Sequence, residues 1–295
     1  MSVPEITVAI PTLGERRSLL DTLRSVLGDL AASGIDAEVL VVWNGRERRP
    51  TWAPTLPDPV REVLEARRGA ARARNAALRR ASGAFVLFVD DDMTVGTGWV
   101  TVLSEALRHG ADVVGGPYAM RWPRPKPSWM PPEGEALLGA YSMGSERRLL
   151  VGQESLLTGN LGVRREVARA LGGFDEALGH GAGTLLMGED LDFCWRALRA
   201  GLTVQYEPRA VADHNVSIEE LGRFEFLRGM FVFGRTMSHL RSMPVQRLPL
   251  ARRLAKVGWL LASAPFRRCP ITTVGQIAFL SGDVSILLQR KWRSS

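Results

Sequence analysis

The stretch AFVLFVDDDM (Ala84–Met93) decides how this chain is read. Six apolar residues make a run fit for a buried strand, and three carboxylates follow it directly. Adjacent negative charges repel, and at the end of a buried strand they cannot all be freely solvated. A positive partner is expected there, either an arginine cluster or a bound cation.

Upstream and downstream of this run, strand and helix signals alternate. ITVAI (6–10) is rich in β-formers and meets Pro11. In 15–32, Leu19, Leu20, Leu23, Val26, Leu27 and Leu30 have helical spacing. AEVLVVW (37–43) reads as a strand stopped by the turn signal Asn44-Gly45. A Pro-rich link (50–59), a short strand near Val60–Leu64 and a helix over 70–81 lead to the acidic strand. A helix near 98–109 and a strand at 111–116 follow it. This order predicts an α/β fold, an open and mostly parallel sheet with helices on both faces. Ligands of such sheets bind beyond the carboxyl ends of the strands, where Asp90, Asp91 and Asp92 fall. Residues 117–150 break the pattern: RWPRPKPSWMPPEGE suits neither a central strand nor a long helix. Trp122 and Trp129 in it either offer flat faces to an acceptor or pin a Pro-rich loop.

With 295 residues, 45% of them apolar and 23% charged, the chain has the composition of an ordinary globular protein with a sizeable core. No fixed-period repeat is present, which excludes solenoids and propellers. Cys194 and Cys269 form neither a CxxC pair nor a disulfide framework, which suits a reducing compartment. The N-terminus has no basic start before an apolar core, so a cytoplasmic location is expected. The net charge of +7 is uneven: residues 219–295 hold thirteen Lys/Arg against four Asp/Glu, a balance of +9 that leaves −2 elsewhere. A basic tail on a near-neutral body calls for an anionic surface or a solvated basic face.

The second informative stretch is MGEDLDFCWRALRAG (187–201). Leu191, Cys194, Trp195 and Leu198 form an apolar stripe, with Gly201 as the stop. Glu189 and Asp190 therefore sit in the first turn, where the helix dipole favours negative charge. Asp190 is expected to stay ionised at neutral pH and to be able to accept a hydroxyl proton, unless both acids merely cap the helix. Asp192 and Arg196 read as a surface pair. Between the two acidic clusters, Gly159 and Gly162 allow close backbone approach, and Gly172-Gly173 ends a short helix before Phe174. His214 is placed just after a strand. With two carboxylates it would make a site for Mg²⁺ or Mn²⁺.

These pieces in order, VAIPT (8–12), VVWNG (41–45), GAARARNAAL (69–78), FVDDDM (88–93), LTGNLGVRREV…GGFDEAL (157–178), GEDLDFCWRALRAG (188–201) and the His of VADHNVS (211–217), resemble a family 2 glycosyltransferase of GT-A fold. The resemblance implies an inverting, hexosyltransferase-type enzyme that uses a nucleotide-diphosphate sugar and a divalent metal. Asp90 and Asp92 match the family's DxD, with Asp92 on the metal, Asp90 helping to hold metal and donor, and Asp91 beside them on the donor. Asp190 matches the catalytic base of an "ED" pair, with Glu189 its catalytic neighbour, and His214 matches a His that reaches the metal. Thr12, Asn44 and Arg68 fall at nucleobase and ribose positions, and Gly159 and Asn160 at the sugar pocket. Trp43 stands where the family usually has an Asp, and Gly14 where an Asn is common, so base selection departs from the pattern. Against the implied transferase stand a nucleotidyltransferase of similar architecture, which PTLGERR does not suit because it lacks a Lys-bearing Gly-rich loop, and a non-catalytic binding protein on the same scaffold.

The implied catalytic domain covers 1–217, with a nucleotide-sugar half over 1–116 and an acceptor half over 117–217. The remainder, 218–295, reads as a helical basic C-terminal extension: one helix over 218–240, then apolar stretches with basic flanks at 250–268 and 271–293. Asp283 and Gln276 interrupt the last, which makes it a poor membrane span. The tail either lies peripherally on an anionic membrane or packs on the domain or on a second copy in a homodimer. The acceptor class is left open between glycan, lipid-linked and small-molecule types, with no nucleic acid partner.

Overall fold

The computed structural model describes residues 3–14, 18–51, 56, 60–240, 274–282 and 284–285. The stretch at 250–268, most of 271–293 and most of the link at 50–59 lie outside the described residues. In chain order the elements are β1 (Ile6–Thr12), α1 (Leu19–Ser33), β2 (Ala37–Asn44), β3 (Val60–Glu65), α2 (Ala70–Arg80) and β4 (Phe85–Val89). Then come β5 (Met93–Val95), α3 (Trp99–Arg108), β6 (Val113–Gly115), β7 (Tyr118–Arg121), α4 (Pro132–Leu137) and β8 (Arg148–Leu149). The last are β9 (Asn160–Arg164), α5 (Arg165–Ala170), α6 (Glu189–Arg199), β10 (Val204–Tyr206), β11 (Ala212–Asn215) and α7 (Arg223–Leu240). The described residues form two compact units. One takes the described residues within Met1–Arg121, Gly139–Gly183 and Glu189–Asn215, and the other those within Trp122–Leu138, Thr184–Gly188 and Val216–Ser295.

The first unit carries an eight-stranded sheet in the order β3-β2-β1-β4-β9-β6-β10-β8. The α/β expectation holds, and the period-2 alternation explains why. Ile6, Val8, Ile10, Val39 and Val41 face one layer with α1 and α3, while Ala9, Leu40 and Val42 face the other with α2, α5 and α6. α1 turns Leu19, Leu23, Val26 and Leu30 to its layer at i, i+4, i+7 and i+11, and ends at Gly34 in the left-handed region (φ 64°). α3 begins where Asp29 of α1 accepts the Gly98 N–H (2.5 Å) and Val100 N–H (2.8 Å), satisfying two donors that a helix start leaves open.

The sheet is less uniform than the sequence suggests. β9 runs antiparallel to both β4 and β6, between them, and was not anticipated as a strand. Its Gly162 is what allows the fit: a Cβ there would lie 2.9 Å from Leu87 Cδ2 and 3.1 Å from Val114 Cγ1. β8 adds a second antiparallel strand of two residues at the edge. A smaller sheet, β5-β11-β7, draws Tyr118–Arg121 out of the stretch expected to be a surface excursion. It also places His214 inside a strand and not after one.

In the second unit, the single helix expected over 218–240 is broken. A 3₁₀ turn (Glu219–Leu221) precedes α7, and Gly222 between them is extended (ψ 142°). Trp129 is pinned by its own surroundings, edge-on to Phe226 (6.1 Å) and under the Arg223 guanidinium (5.7 Å). α7 and the helical residues at 274–282 touch backbone to backbone, since Cβ atoms on Gly234 and Gly282 would fall 1.8 Å and 1.9 Å from the carbonyl oxygens of Phe279 and Phe231. No described helix is long and apolar enough to cross a membrane.

Two glycines test this packing in opposite directions. A Cβ on Gly116 would sit 1.9 Å from the Ala210 carbonyl oxygen, whereas one on the exposed Gly28 of α1 would meet nothing within 4 Å. Gly116→Ala is expected to lower stability by about 2–3 kcal/mol, a fall of roughly 5 °C or more in Tm. Gly28→Ala is expected to raise it by about 0.5–1 kcal/mol. Thermal unfolding followed by circular dichroism measures both.

Candidate active site

The carboxyl ends of β1, β2 and β4 lie side by side, because β1 pairs in parallel with both β2 and β4. The aspartates that follow β4 do not share one partner. Asp90 Oδ1 accepts from Arg74 Nη2 at 2.7 Å. Asp91 accepts a very short hydrogen bond from Thr12 Oγ1, the last side chain of β1. Asp92 faces His214, with Oδ2 3.5 Å from Nε2. The small sheet sets that last pairing: His214 registers with Met93, and the Asn215 N–H and Nδ2 both donate to the Asp92 carbonyl, at 2.9 and 3.0 Å. Three like charges in a row are thus tolerated by sending each to a different element.

Arg74 is the cation that the acidic strand end requires. It lies on the inner face of α2 in the stripe Ala71, Arg74, Ala77, Leu78 and is 3% exposed. The alanines bring α2 close to the sheet, and Arg74 is the buried charged side chain of that face. Its Nη1 donates to Glu189 Oε1 at 2.7 Å, so one guanidinium joins the end of β4 to the first turn of α6. Burial works against its charge, but Asp90 and Glu189 outweigh that and hold it protonated above its usual range. The next residue, Asn75, braces the same region: it accepts the Phe174 N–H (2.8 Å) and donates to the Phe174 carbonyl (2.9 Å). Phe174 then stacks on Phe193 of α6 at 4.5 Å and meets Phe88 of β4 edge-on at 5.7 Å.

Asp190 is half-buried, and its Oδ1 accepts the Leu191 N–H at 2.8 Å. Burial and then the adjacent Glu189 push its carboxyl up to about 7, against the pull of Arg74 and of backbone N–H groups. The expectation of a fully ionised Asp190 at neutral pH is therefore corrected: desolvation outweighs the helix dipole. Asp90 is also shifted upward, by burial first and then by Asp92 and Glu189, with Arg74 opposing. Tyr118 of β7 lies close by. Burial, Asp90 and Asp190 hold its hydroxyl well above the usual phenol range, so it stays a proton donor. Gly159 forms the floor between them, since a Cβ there would stand 2.6 Å from both Asp90 Oδ2 and the Tyr118 hydroxyl.

Among the other residues singled out from sequence, Asn44 and Asn160 turn inward. Asn44 spends both ends of its amide on the Gly69 backbone (2.6 and 3.0 Å), closing the loop before α2. Asn160 is fully buried, accepting from Trp99 Nε1 (2.7 Å) and donating to the carbonyls of Ala210 (2.7 Å) and Pro117 (3.2 Å). Arg68 is exposed and packs over Gly45 and Gly181. Trp43 is fully buried with its indole N–H on Glu62 (2.7 Å). Arg67 makes exposed ion pairs with Glu65 and Glu176. Arg74 and Tyr118 were not anticipated. For Arg74 a signal existed: a charged residue within the apolar stripe of an alanine-rich helix.

Among the described residues, no group of three or more His, Cys, Asp and Glu side chains is arranged to hold a metal ion by itself. Asp90 is drawn toward Arg74, which leaves Asp92 and His214 as a facing pair. Mg²⁺-type ions often take only one or two protein ligands, with substrate phosphates and water completing the shell. Ligands about 2.1 Å from one ion and at right angles stand roughly 3 Å apart, which the Asp92–His214 spacing approaches. The pair fits such an ion.

The profile of "Glycosyl transferase family 2" matches residues 7–169. The chain belongs to this family. The match covers more than half of the chain and ends before Glu189, Asp190 and His214. Pre-mycofactocin glycosyltransferase of Mycobacterium tuberculosis is 31% identical over 152 residues, 50% of this chain and 30% of that protein, so the chain spans well under half of that relative's length. Succinoglycan biosynthesis protein ExoM of Rhizobium meliloti is 28% identical over 262 residues, 84% of this chain and 81% of the relative. Glucosyl-dolichyl phosphate glucuronosyltransferase of Haloferax volcanii is 24% identical over 72% of this chain and 69% of its own. Among solved structures, mannosyltransferase PcManGT from Pyrobaculum calidifontis, in complex with GDP-Man and Mn²⁺, superposes with TM-score 0.61 at 17% identity, over 100% of this chain and 89% of that one. GalNAc-T7 with UDP, GalNAc and Mn²⁺ gives TM-score 0.58 at 14% identity, over 86% and 54%. The fold is GT-A.

The Asp190 environment makes a prediction independent of any substrate. A carboxyl whose folded-state pKa is raised contributes stability below its unfolded pKa, near 3.9, and loses it as pH rises through about 7. Asp190→Asn keeps the acceptor for the Leu191 N–H and removes the charge. It is expected to be near neutral at pH 4 and stabilising by about 1–2 kcal/mol at pH 8. Urea unfolding at the two pH values checks the sign.

Proposed function

We propose that this family 2 chain transfers a sugar from a nucleoside-diphosphate sugar to an acceptor hydroxyl with inversion, using Asp190 as the general base. The observation that carries this reading is the Arg74 bridge, which ties an acidic strand end suited to a diphosphate donor to the helix turn that presents Asp190. In one displacement the acceptor oxygen attacks the anomeric carbon and the bond to the diphosphate oxygen breaks. The acceptor proton goes to Asp190, and the nucleoside diphosphate departs. A base works best with a pKa near the working pH, and about 7 meets that condition.

Asp92 and His214 would hold a divalent ion, Mn²⁺ or Mg²⁺, with the donor diphosphate supplying further ligands. Held there, such an ion would supply positive charge against the negative charge that grows on the departing diphosphate. Asp90, braced by Arg74, faces the donor together with the Gly159 backbone, and Asp91 is held by Thr12. The solved GT-A relatives carry Mn²⁺ with UDP or GDP-Man, which supports a donor of this class. The names of two relatives, a succinoglycan biosynthesis protein and a glucosyl-dolichyl phosphate glucuronosyltransferase, favour a glycan or lipid-linked acceptor. The surplus of thirteen Lys/Arg over four Asp/Glu in 219–295 suits such an acceptor presented at an anionic membrane surface, with the chain peripheral to it.

The test is release of nucleoside diphosphate from a panel containing UDP-glucose, UDP-N-acetylgalactosamine and GDP-mannose. Release is expected with Mn²⁺ and is expected to stop with EDTA. Asp190→Asn should lower the rate about 100-fold or more while donor affinity holds. Near-normal turnover of that variant would remove Asp190 from the role of base. Asp92→Asn should raise the Mn²⁺ needed for half-maximal rate about tenfold or more. The rate should climb as pH rises through about 7, because the ionised form of Asp190 is the one that accepts a proton.

A further inference from the structure

Two buried side chains, Arg74 and Glu189, take no direct part in the transfer just described, yet they join its two acidic clusters. Arg74 is 3% exposed and Glu189 7%. The guanidinium meets Glu189 Oε1 and Asp90 Oδ1, each at 2.7 Å, and its Nε makes no hydrogen bond. The two carboxylates therefore orient it. Glu189 is closed in on its far side by Gly179, where a Cβ would come within 2.8 Å of Oε2. Gly179 itself lies in the left-handed region (φ 89°), a conformation that favours glycine. Glu189 is thus held from two sides, by Arg74 and by the Gly179 backbone.

Resting on the transfer reading above, we propose that Arg74 and Glu189 are positioning residues: Arg74 locks the end of β4 to the first turn of α6, and so holds the Glu189 carboxylate in one place beside Asp190. Glu189 moves from the catalytic role that its motif implies to a supporting one. The groups that act on Asp190 are Glu189 and Cys194 on its own helix, Arg74 from α2 and Tyr118 from β7. Tyr118 and Cys194 are held neutral, the Cys194 thiol pushed up to about 12 by burial. Arg74 is the nearby cation and Glu189 the nearby anion. Removing the Glu189 charge takes away the carboxylate beside Asp190 and leaves Arg74 balanced by Asp90 alone, so Asp190 releases its proton at lower pH.

Glu189→Gln tests this, since the amide oxygen can still accept from Arg74 and the fold is retained. The assay is Mn²⁺-dependent release of nucleoside diphosphate from whichever sugar nucleotide of the panel the wild type turns over. The acid limb of kcat is expected to move down by about one pH unit or more, a relative gain near tenfold well below the limb, with donor KM within about twofold. Glu189→Asp keeps the charge but falls short of Arg74, so it should lose about tenfold in kcat with its limb near the wild-type position. A Glu189→Gln enzyme that loses rate or Tm while its limb stays in place would mark a purely structural residue and overturn the proposal. A wild type without donor-dependent release, or an active Asp190→Asn, would instead overturn the transfer reading and the proposal with it.

Discussion

A buried arginine between two carboxylates holds this site together. Desolvating a guanidinium costs several kcal/mol, and only close, hydrogen-bonded counter-charges offset it. The converse holds for Asp90 and Glu189, which would be poorly accommodated at a strand end and a helix start without that cation. The bridge spans 115 residues of sequence between Arg74 and Glu189, so it forms only when α2, β4 and α6 have all reached their places. Folding and site assembly are in this respect the same event.

The sheet supplies the stage through register. Parallel pairing of β1, β2 and β4 brings Thr12, Asn44 and Asp90–Asp92 to one rim. Antiparallel β9, entering beside β4 with Asn160 opposite Val89, sets Gly159 under Asp90. The Asn160 amide then joins α3, the end of β6 and the approach to β11 through Trp99, Pro117 and Ala210. The small sheet does the remaining work by registering His214 with Met93, next to Asp92. The Thr12–Asp91 and Asp92–His214 contacts follow from strand pairings, whereas the Arg74 bridge is brought by helices.

Much of this was legible in the sequence, for identifiable reasons. Long apolar runs and helical stripes mark β1, β2, β4, α1 and α6 because burial imposes their periods. The acidic triplet announced an unmet charge. What was hidden is tertiary. NLGVR is too short and too glycine-bearing to signal β9, whose neighbours impose its strand form. Tyr118–Arg121 becomes a strand only because β11 lies beside it. Asn44 has its amide taken up by the Gly69 backbone, and Asn160 by two carbonyls and the Trp99 indole, which no spacing reveals. The proton affinity of Asp190 was misjudged because helix position is visible in sequence and desolvation is not.

The two margins of the large sheet differ from its centre. β3 turns Arg61 and Glu62 outward, with Arg61 on Glu38, Arg49 on Glu62 and Arg79 on Glu65, while the opposite margin ends in the two residues of β8. A long, flat, uncharged border is what invites a foreign strand to add on, and neither border is of that kind. This unit can therefore be concentrated, or crowded against other copies at a surface, without its hydrogen-bonding ladder serving as a seed for fibrils.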